Sequence, residues 1–182
     1  MHHVVLLPGL ASDATIWRDQ VPALSARHRV TVADVHFRAD SLPAMAALLL
    51  AEQPGELLLC GTSMGGMVAL EAVRLAPQRV RGLALLGTSA RADTPGVIAR
   101  REAAILEFQA GRAEAVLRAI ACPTLVACGD SDLLTPPEHA REIAAGIAGA
   151  GFELVPECGH LLTMEQPERV NALLLEWLAG LG

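Results

Sequence analysis

Apolar residues in this chain gather in short runs, each closed by glycine, proline or aspartate. The runs are Val4–Leu7, Val30–Asp34, Leu57–Cys60, Gly82–Gly87, Thr124–Gly129 and Phe152–Val155. A run with little alternation suits a strand buried on both faces. Longer segments of helical character separate the runs. Ala14–Ser25 can turn Ile16, Trp17, Val21 and Leu24 to one side, and Ser12 or Asp13 can cap it. Ser41–Glu52 is stopped by Pro54-Gly55. Met67–Val73 opens the next helix, and Pro137–Ile147 and Met164–Leu178 follow later. Between the fourth and fifth runs, Gly111 divides a polar segment into two helices, Pro95–Gln109 and Arg112–Ala119. Strands and helices thus alternate six times. This pattern predicts an α/β fold: one domain over 1–182, built on a six-stranded, mostly parallel sheet with helices on both faces. Ligands of such sheets bind beyond the carboxyl ends of the strands.

Composition narrows the function classes. At 182 residues and 52% hydrophobic, the chain can bury a substantial core. No apolar run reaches membrane-span length, so no membrane partner is expected. The net charge of −6 argues against a nucleic-acid partner. All 14 basic residues are arginine, which excludes a Schiff-base lysine and a phosphate-loop lysine. Cys60, Cys122, Cys128 and Cys158 show no CxxC spacing and read as buried thiols of a reducing compartment, without metal. Met1-His2-His3-Val4 carries no leader pattern, so a cytoplasmic location is expected.

The third run leads into Gly61-Thr62-Ser63-Met64-Gly65-Gly66-Met67, a strand, a sharp turn and a helix. Glycines two residues either side of Ser63 let strand and helix approach closely, with the serine strained and exposed at the tip. Met64 follows at a helix N-terminus, where its N–H can face developing negative charge. A serine needs a base, usually a histidine oriented by a carboxylate. Such residues arrive in chain order after later strands: Asp130 and Asp132 after the fifth, His160 after the sixth. Either aspartate could serve, or could instead cap its loop. His2, His3, His28 and His139 read as solvated surface, as does His36, although His36 follows a strand and could line the cleft.

These stretches resemble the α/β-hydrolase superfamily, of the small bacterial esterase kind. The resemblance rests on Leu6–Leu10 with Trp17, Gly61–Gly66, Pro123–Pro136 and Gly159–Leu161 with Glu165–Glu168. It implies Ser63 as nucleophile, His160 as base and Asp132, the second acidic residue of its loop, as the orienting acid. The oxyanion donors it implies are the backbone N–H groups of Met64 and Leu10. Pro8 stands where the family usually has a histidine that braces the Leu10 loop. The implied activity is carboxylic ester hydrolysis through an acyl-enzyme, with a small-molecule ester as substrate and no cofactor. The same triad could serve carbon–carbon bond hydrolysis, perhydrolysis or a menaquinone-pathway-type lyase. A non-catalytic binding protein of this fold is the reading from another class.

Two departures from the family stand out. By this resemblance the first strand corresponds to the family's third, and the two leading strands are expected to be missing. The cap usually inserted between the fourth and fifth strands is strongly reduced. Arg112–Ala119 is needed as a crossover helix, which leaves 91–111 as a short lid remnant or an edge helix. An open cleft of broad ester specificity is expected, and a second copy of the chain could cover its apolar rim as a homodimer.

Overall fold

The computed structural model describes residues 1–91 and 112–181. Six strands form one sheet: β1 (His3–Leu7), β2 (Arg29–Val32), β3 (Leu57–Thr62), β4 (Val80–Leu86), β5 (Thr124–Gly129) and β6 (Gly151–Val155). Their order is β2-β1-β3-β4-β5-β6, and all five pairings are parallel. Parallel neighbours need crossovers, which explains why helical segments separate the apolar runs. The lid remnant expected over 91–111 lies outside the described residues from residue 92 onward.

Successive strand residues feed two separate cores. Val5, Leu7, Leu57, Leu59, Leu83, Leu85 and Val126 face one layer. That layer is built from α2 (Leu42–Glu52), α3 (Met64–Leu75), α4 (Arg112–Ala119) and α5 (Pro137–Gly146). Val4, Leu6, Leu58, Cys60, Ala84, Leu125 and Ala127 face the other layer. There they meet Trp17, α1 (Gln20–Ser25) and α7 (Pro167–Ala179). The two-residue period of a strand makes this division. In β1, β3, β4 and β5 it also explains why the runs are continuous: both faces are dry, and each buried leucine contributes about 1.5–3 kcal/mol. The edge strands depart from the expected two-sided burial: β2 has no buried residue and β6 only Val155, because each has a neighbour on one side alone.

Local chemistry corrects two expected helices. Ala14–Ser25 is a 3₁₀ turn, Ala14–Trp17, followed by α1. Pro22 has no N–H, and its ring would clash with the Arg18 carbonyl of a continuous helix; in the first turn of α1 it is tolerated. Ile16, Trp17 and Leu24 are buried as expected, and Asp13 supplies the cap, accepting the Thr15 N–H at 2.8 Å. The last helix is likewise split, into α6 (Leu162–Glu165) and α7. Pro167 drives Gln166 out of the helical region, to φ −132 and ψ 58. Among the described residues, no helix is long and apolar enough to cross a membrane.

Candidate active site

The carboxyl ends of β1, β3, β5 and β6 lie along one edge of the sheet, and the sequence-predicted residues follow them there. Ser63 sits between β3 and α3 at φ 51 and ψ −121. A non-glycine residue held in such a region costs about 1–3 kcal/mol, so the surroundings must impose it. Three bonds do. The Ser63 N–H donates to the Leu86 carbonyl at 3.0 Å. The Ser63 carbonyl accepts from the Gly66 N–H at 3.1 Å and from the Thr88 hydroxyl at 2.6 Å. The flanking glycines are required by space. A Cβ on Gly65 would lie 2.1 Å from the Leu7 carbonyl oxygen, and one on Gly61 would lie 2.4 Å from the Gly65 backbone. α3 therefore starts directly against β1 and β3, with the Met64 N–H in its first turn.

His160 and Asp132 meet at the same edge of the sheet. His160 Nδ1 lies 2.9 Å from Asp132 Oδ2. Asp132 is only 2% exposed. Its Oδ1 accepts the Leu134 and Thr135 N–H groups, both at 2.9 Å, and its Oδ2 accepts the Thr135 hydroxyl at 2.8 Å. Burial pushes its carboxyl up, but the bonds from His160 and Thr135 outweigh burial and hold it below the usual carboxylate range. An ionised Asp132 accepts the Nδ1 hydrogen, which leaves Nε2 as the basic nitrogen of His160.

Asp130 does other work. It is exposed and accepts the Ser131 hydroxyl and the N–H groups of Glu157 and Cys158, so it pins the loop that carries His160. Those donors, the Ser131 hydroxyl first, hold its carboxyl below the usual range. The geometry thus pairs the imidazole with the second aspartate of the loop.

Ser63 and His160 line one cavity of about 520 Å³, together with Gly9, Leu10, Ser12, Met64, Met67, Leu134, Leu161 and Glu165. Among the described residues, Ser63 Oγ makes no hydrogen bond to His160. Leu10, 49% exposed, stands at the mouth, and a Cβ on Gly9 would lie 3.1 Å from the Ser63 Cβ. The Leu10 loop therefore packs directly on the serine. A second hollow of about 800 Å³ lies at the opposite, amino edge, lined by His3, Arg29, Glu56 and Arg81 among others. It contains none of the candidate residues.

Two residues of the site carry no role in the sequence reading. Thr135 braces the acid as described. Glu165 accepts the N–H groups on both sides of His160, from Gly159 at 2.6 Å and from Leu161 at 2.9 Å. Glu165 stands four residues after Leu161 and six after Gly159, not at the three-residue spacing of a capping box, so no local pattern signals it. The other histidines correct the surface reading. His2, His3, His28, His36 and His139 are all half-buried. His36 is not among the residues lining the cavity; it bonds the Ser12 carbonyl from behind. The cysteines are free thiols, and burial pushes Cys60 and Cys128 up to about 12. Among the described residues, no group of three or more His, Cys, Asp or Glu is arranged to hold a metal ion.

Two family models match the sequence. One, described as alpha/beta hydrolase fold, matches residues 2–113. The other, described as alpha/beta hydrolase family, matches residues 91–173. A pimeloyl-[acyl-carrier protein] methyl ester esterase of Edwardsiella ictaluri is 32% identical over 198 residues, which cover 98% of this chain and 73% of that protein. The dihydrolipoyllysine-residue acetyltransferase component of an acetoin cleaving system, from Pseudomonas putida, is 26% identical over 236 residues. That match covers 96% of this chain but 63% of the relative, so the chain spans less than two thirds of that protein's length. Among solved structures, a thermophilic esterase from Thermogutta terrifontis, with malate bound, superposes with a TM-score of 0.81 at 26% identity. The superposition covers 100% of this chain and 90% of that one.

Proposed function

This chain belongs to the alpha/beta hydrolase family, and from that premise we propose that it is a serine hydrolase cleaving small to medium carboxylic esters. In this reading Ser63 Oγ attacks the ester carbonyl carbon while His160 Nε2 takes its proton. Asp132 keeps Nδ1 protonated and stabilises the imidazolium. The Leu10 and Met64 N–H groups receive the oxyanion of the tetrahedral intermediate. The ester C–O bond then breaks, and His160 returns its proton to the departing alcohol. Water attacks the acyl-enzyme with His160 as base, and Ser63 and a carboxylic acid are released.

One observation carries the proposal. A serine forced to φ 51 shares a cavity with a histidine whose Nδ1 is paired at 2.9 Å with a buried aspartate. A turn between strand and helix without chemistry has no need of that partner. The Ser63–His160 bond is expected to form when substrate is present, since such bonds are often long in empty sites and tighten on binding. The names of the Edwardsiella and Thermogutta relatives, both esterases, support the same reaction class. The apolar side chains of Leu10, Met67, Leu134 and Leu161 support an uncharged acyl or alcohol group beside the serine.

A fluorophosphonate probe tests the proposal. Ser63 should be labelled in the native protein, and labelling should be lost in Ser63→Ala and in His160→Ala. Absence of labelling in the wild-type protein would overturn the hydrolase mechanism. p-Nitrophenyl esters of increasing acyl length then measure how far the apolar wall extends; acceptance of a single length would defeat the broad-specificity part.

A further inference from the structure

The loop that would present the Leu10 amide is fastened by a residue outside the cleft. Gly9–Ser12 form a tight turn in which the Ser12 N–H donates to the Gly9 carbonyl at 3.3 Å and the Ser12 hydroxyl donates to the Leu10 carbonyl at 3.4 Å. Both bonds are local and long. Ala11 sits at φ 56, a conformation that non-glycine residues rarely adopt. Pro8, just before the turn, has neither an N–H nor a polar side chain to hold it. The turn nonetheless packs on the nucleophile, since a Cβ at Gly9 would lie 3.1 Å from the Ser63 Cβ.

One short bond reaches this turn from a distant part of the chain. His36 Nε2 lies 2.7 Å from the Ser12 carbonyl oxygen. His36 belongs to a 3₁₀ turn, Val35–Phe37, just after β2, and its half-buried ring packs on Phe37 with centroids 4.0 Å apart. A carbonyl can only accept, so Nε2 must carry the hydrogen.

We infer that His36 is a positioning residue for the reaction. Its Nε2–H holds the Ser12 carbonyl, fixes the Gly9–Ser12 turn against Ser63 and so aligns the Leu10 N–H with the oxyanion. The inference rests on the serine-hydrolase reading above. An oxyanion donor acts in the transition state, so loss of its alignment falls on kcat and not on KM.

The test compares His36→Phe, which keeps a ring and loses the donor, with His36→Gln, whose amide N–H can reach the same carbonyl. His36→Phe should lower kcat for a p-nitrophenyl ester about 10- to 100-fold, with KM within about twofold. His36→Gln should recover most of that loss. Backbone hydrogen exchange over residues 9–15 should speed up in His36→Phe, return toward the wild-type rate in His36→Gln, and stay unchanged on α3. If His36→Phe does not fold, His36→Asn, whose amide is too short to reach, takes its place. Wild-type kcat in the donor-less variant, a loss confined to KM, or unchanged exchange over residues 9–15 would each overturn the inference. A wild-type protein that neither labels at Ser63 nor hydrolyses esters would instead overturn the hydrolase reading, and with it the catalytic purpose of the brace.

Discussion

On the His160 wall of the cleft, three carboxylates take up donors from the backbone and from side chains. Asp132, Asp130 and Glu165 each accept at least two such bonds, and all of them hold the loops after β5 and β6. On the opposite wall, the Gly9–Ser12 turn relies on two long local bonds and one imidazole. Bonds to ionised acceptors are about twice as strong as neutral ones. The proposed acid and base are therefore over-determined, whereas the proposed oxyanion donor of Leu10 depends, among the described residues, on a single distant hydrogen bond. The contrast suits the two tasks. An imidazole must keep one tautomer and one direction through several proton transfers. A backbone amide has only to stay put.

Three experiments would break or sharpen this contrast. The largest effect should come from the acid. Asp132→Asn should lower kcat by about 10³- to 10⁴-fold, because the amide favours the wrong imidazole tautomer. Asp130→Asn should change kcat less than about tenfold, since its bonds pin the loop and do not touch the ring. Equal losses in steady-state kinetics would erase the distinction drawn between the two aspartates.

Glycine-to-alanine pairs probe the walls next. A Cβ on Gly129 would lie 2.2 Å from the Cys158 carbonyl oxygen, which is rigid backbone. Gly129→Ala should cost about 3 kcal/mol or more of stability in urea unfolding. A Cβ on Gly9 meets a side-chain carbon at 3.1 Å, so that neighbour has to give by only a few tenths of an ångström. Gly9→Ala should cost less than about 1 kcal/mol and lower kcat more than it lowers stability. The reverse ranking would mean that the Ser12 wall is the stiffer one.

The smallest effect is in pH dependence. The Asp132 carboxyl is held below its ordinary value of 3.8 in the folded protein. The stability it confers is complete above that value and is lost as pH falls through the lower folded one. Melting temperature against pH should therefore fall less steeply below about pH 4 in Asp132→Asn than in the wild-type protein. The difference should be on the order of 2–4 °C. Identical slopes would mean that the folded structure does not depress this carboxyl.

The four central strands were legible in the sequence because both faces of the sheet are dry there, which leaves continuous apolar runs; β5 spans Thr124–Gly129, as the run itself does. The elbow was legible because close strand–helix contact demands glycine at fixed spacing. The helix breaks were not, because Pro22 and Pro167 are each compatible with a helix start as well as with a helix end. The choice between Asp130 and Asp132 was also out of reach from residue type alone. Both follow the same strand, and only the tertiary path of the β6 loop decides which one meets the ring. His36 lies 24 residues from its partner Ser12, and no local pattern links the two.

The place of β6 has a consequence for how the protein would fail. Among the described residues β6 is an edge strand, paired only with β5, and of its five residues only Val155 is buried. The strand that delivers His160 is thus one of the two at the sheet's edges, held by a single neighbour. Partial loosening of this edge would remove the proposed base while the elbow strand, embedded between β1 and β4, stays intact. In rising denaturant, ester hydrolysis should vanish before the buried Trp17 reports unfolding, and the gap between the two transitions would measure the separate stability of that edge.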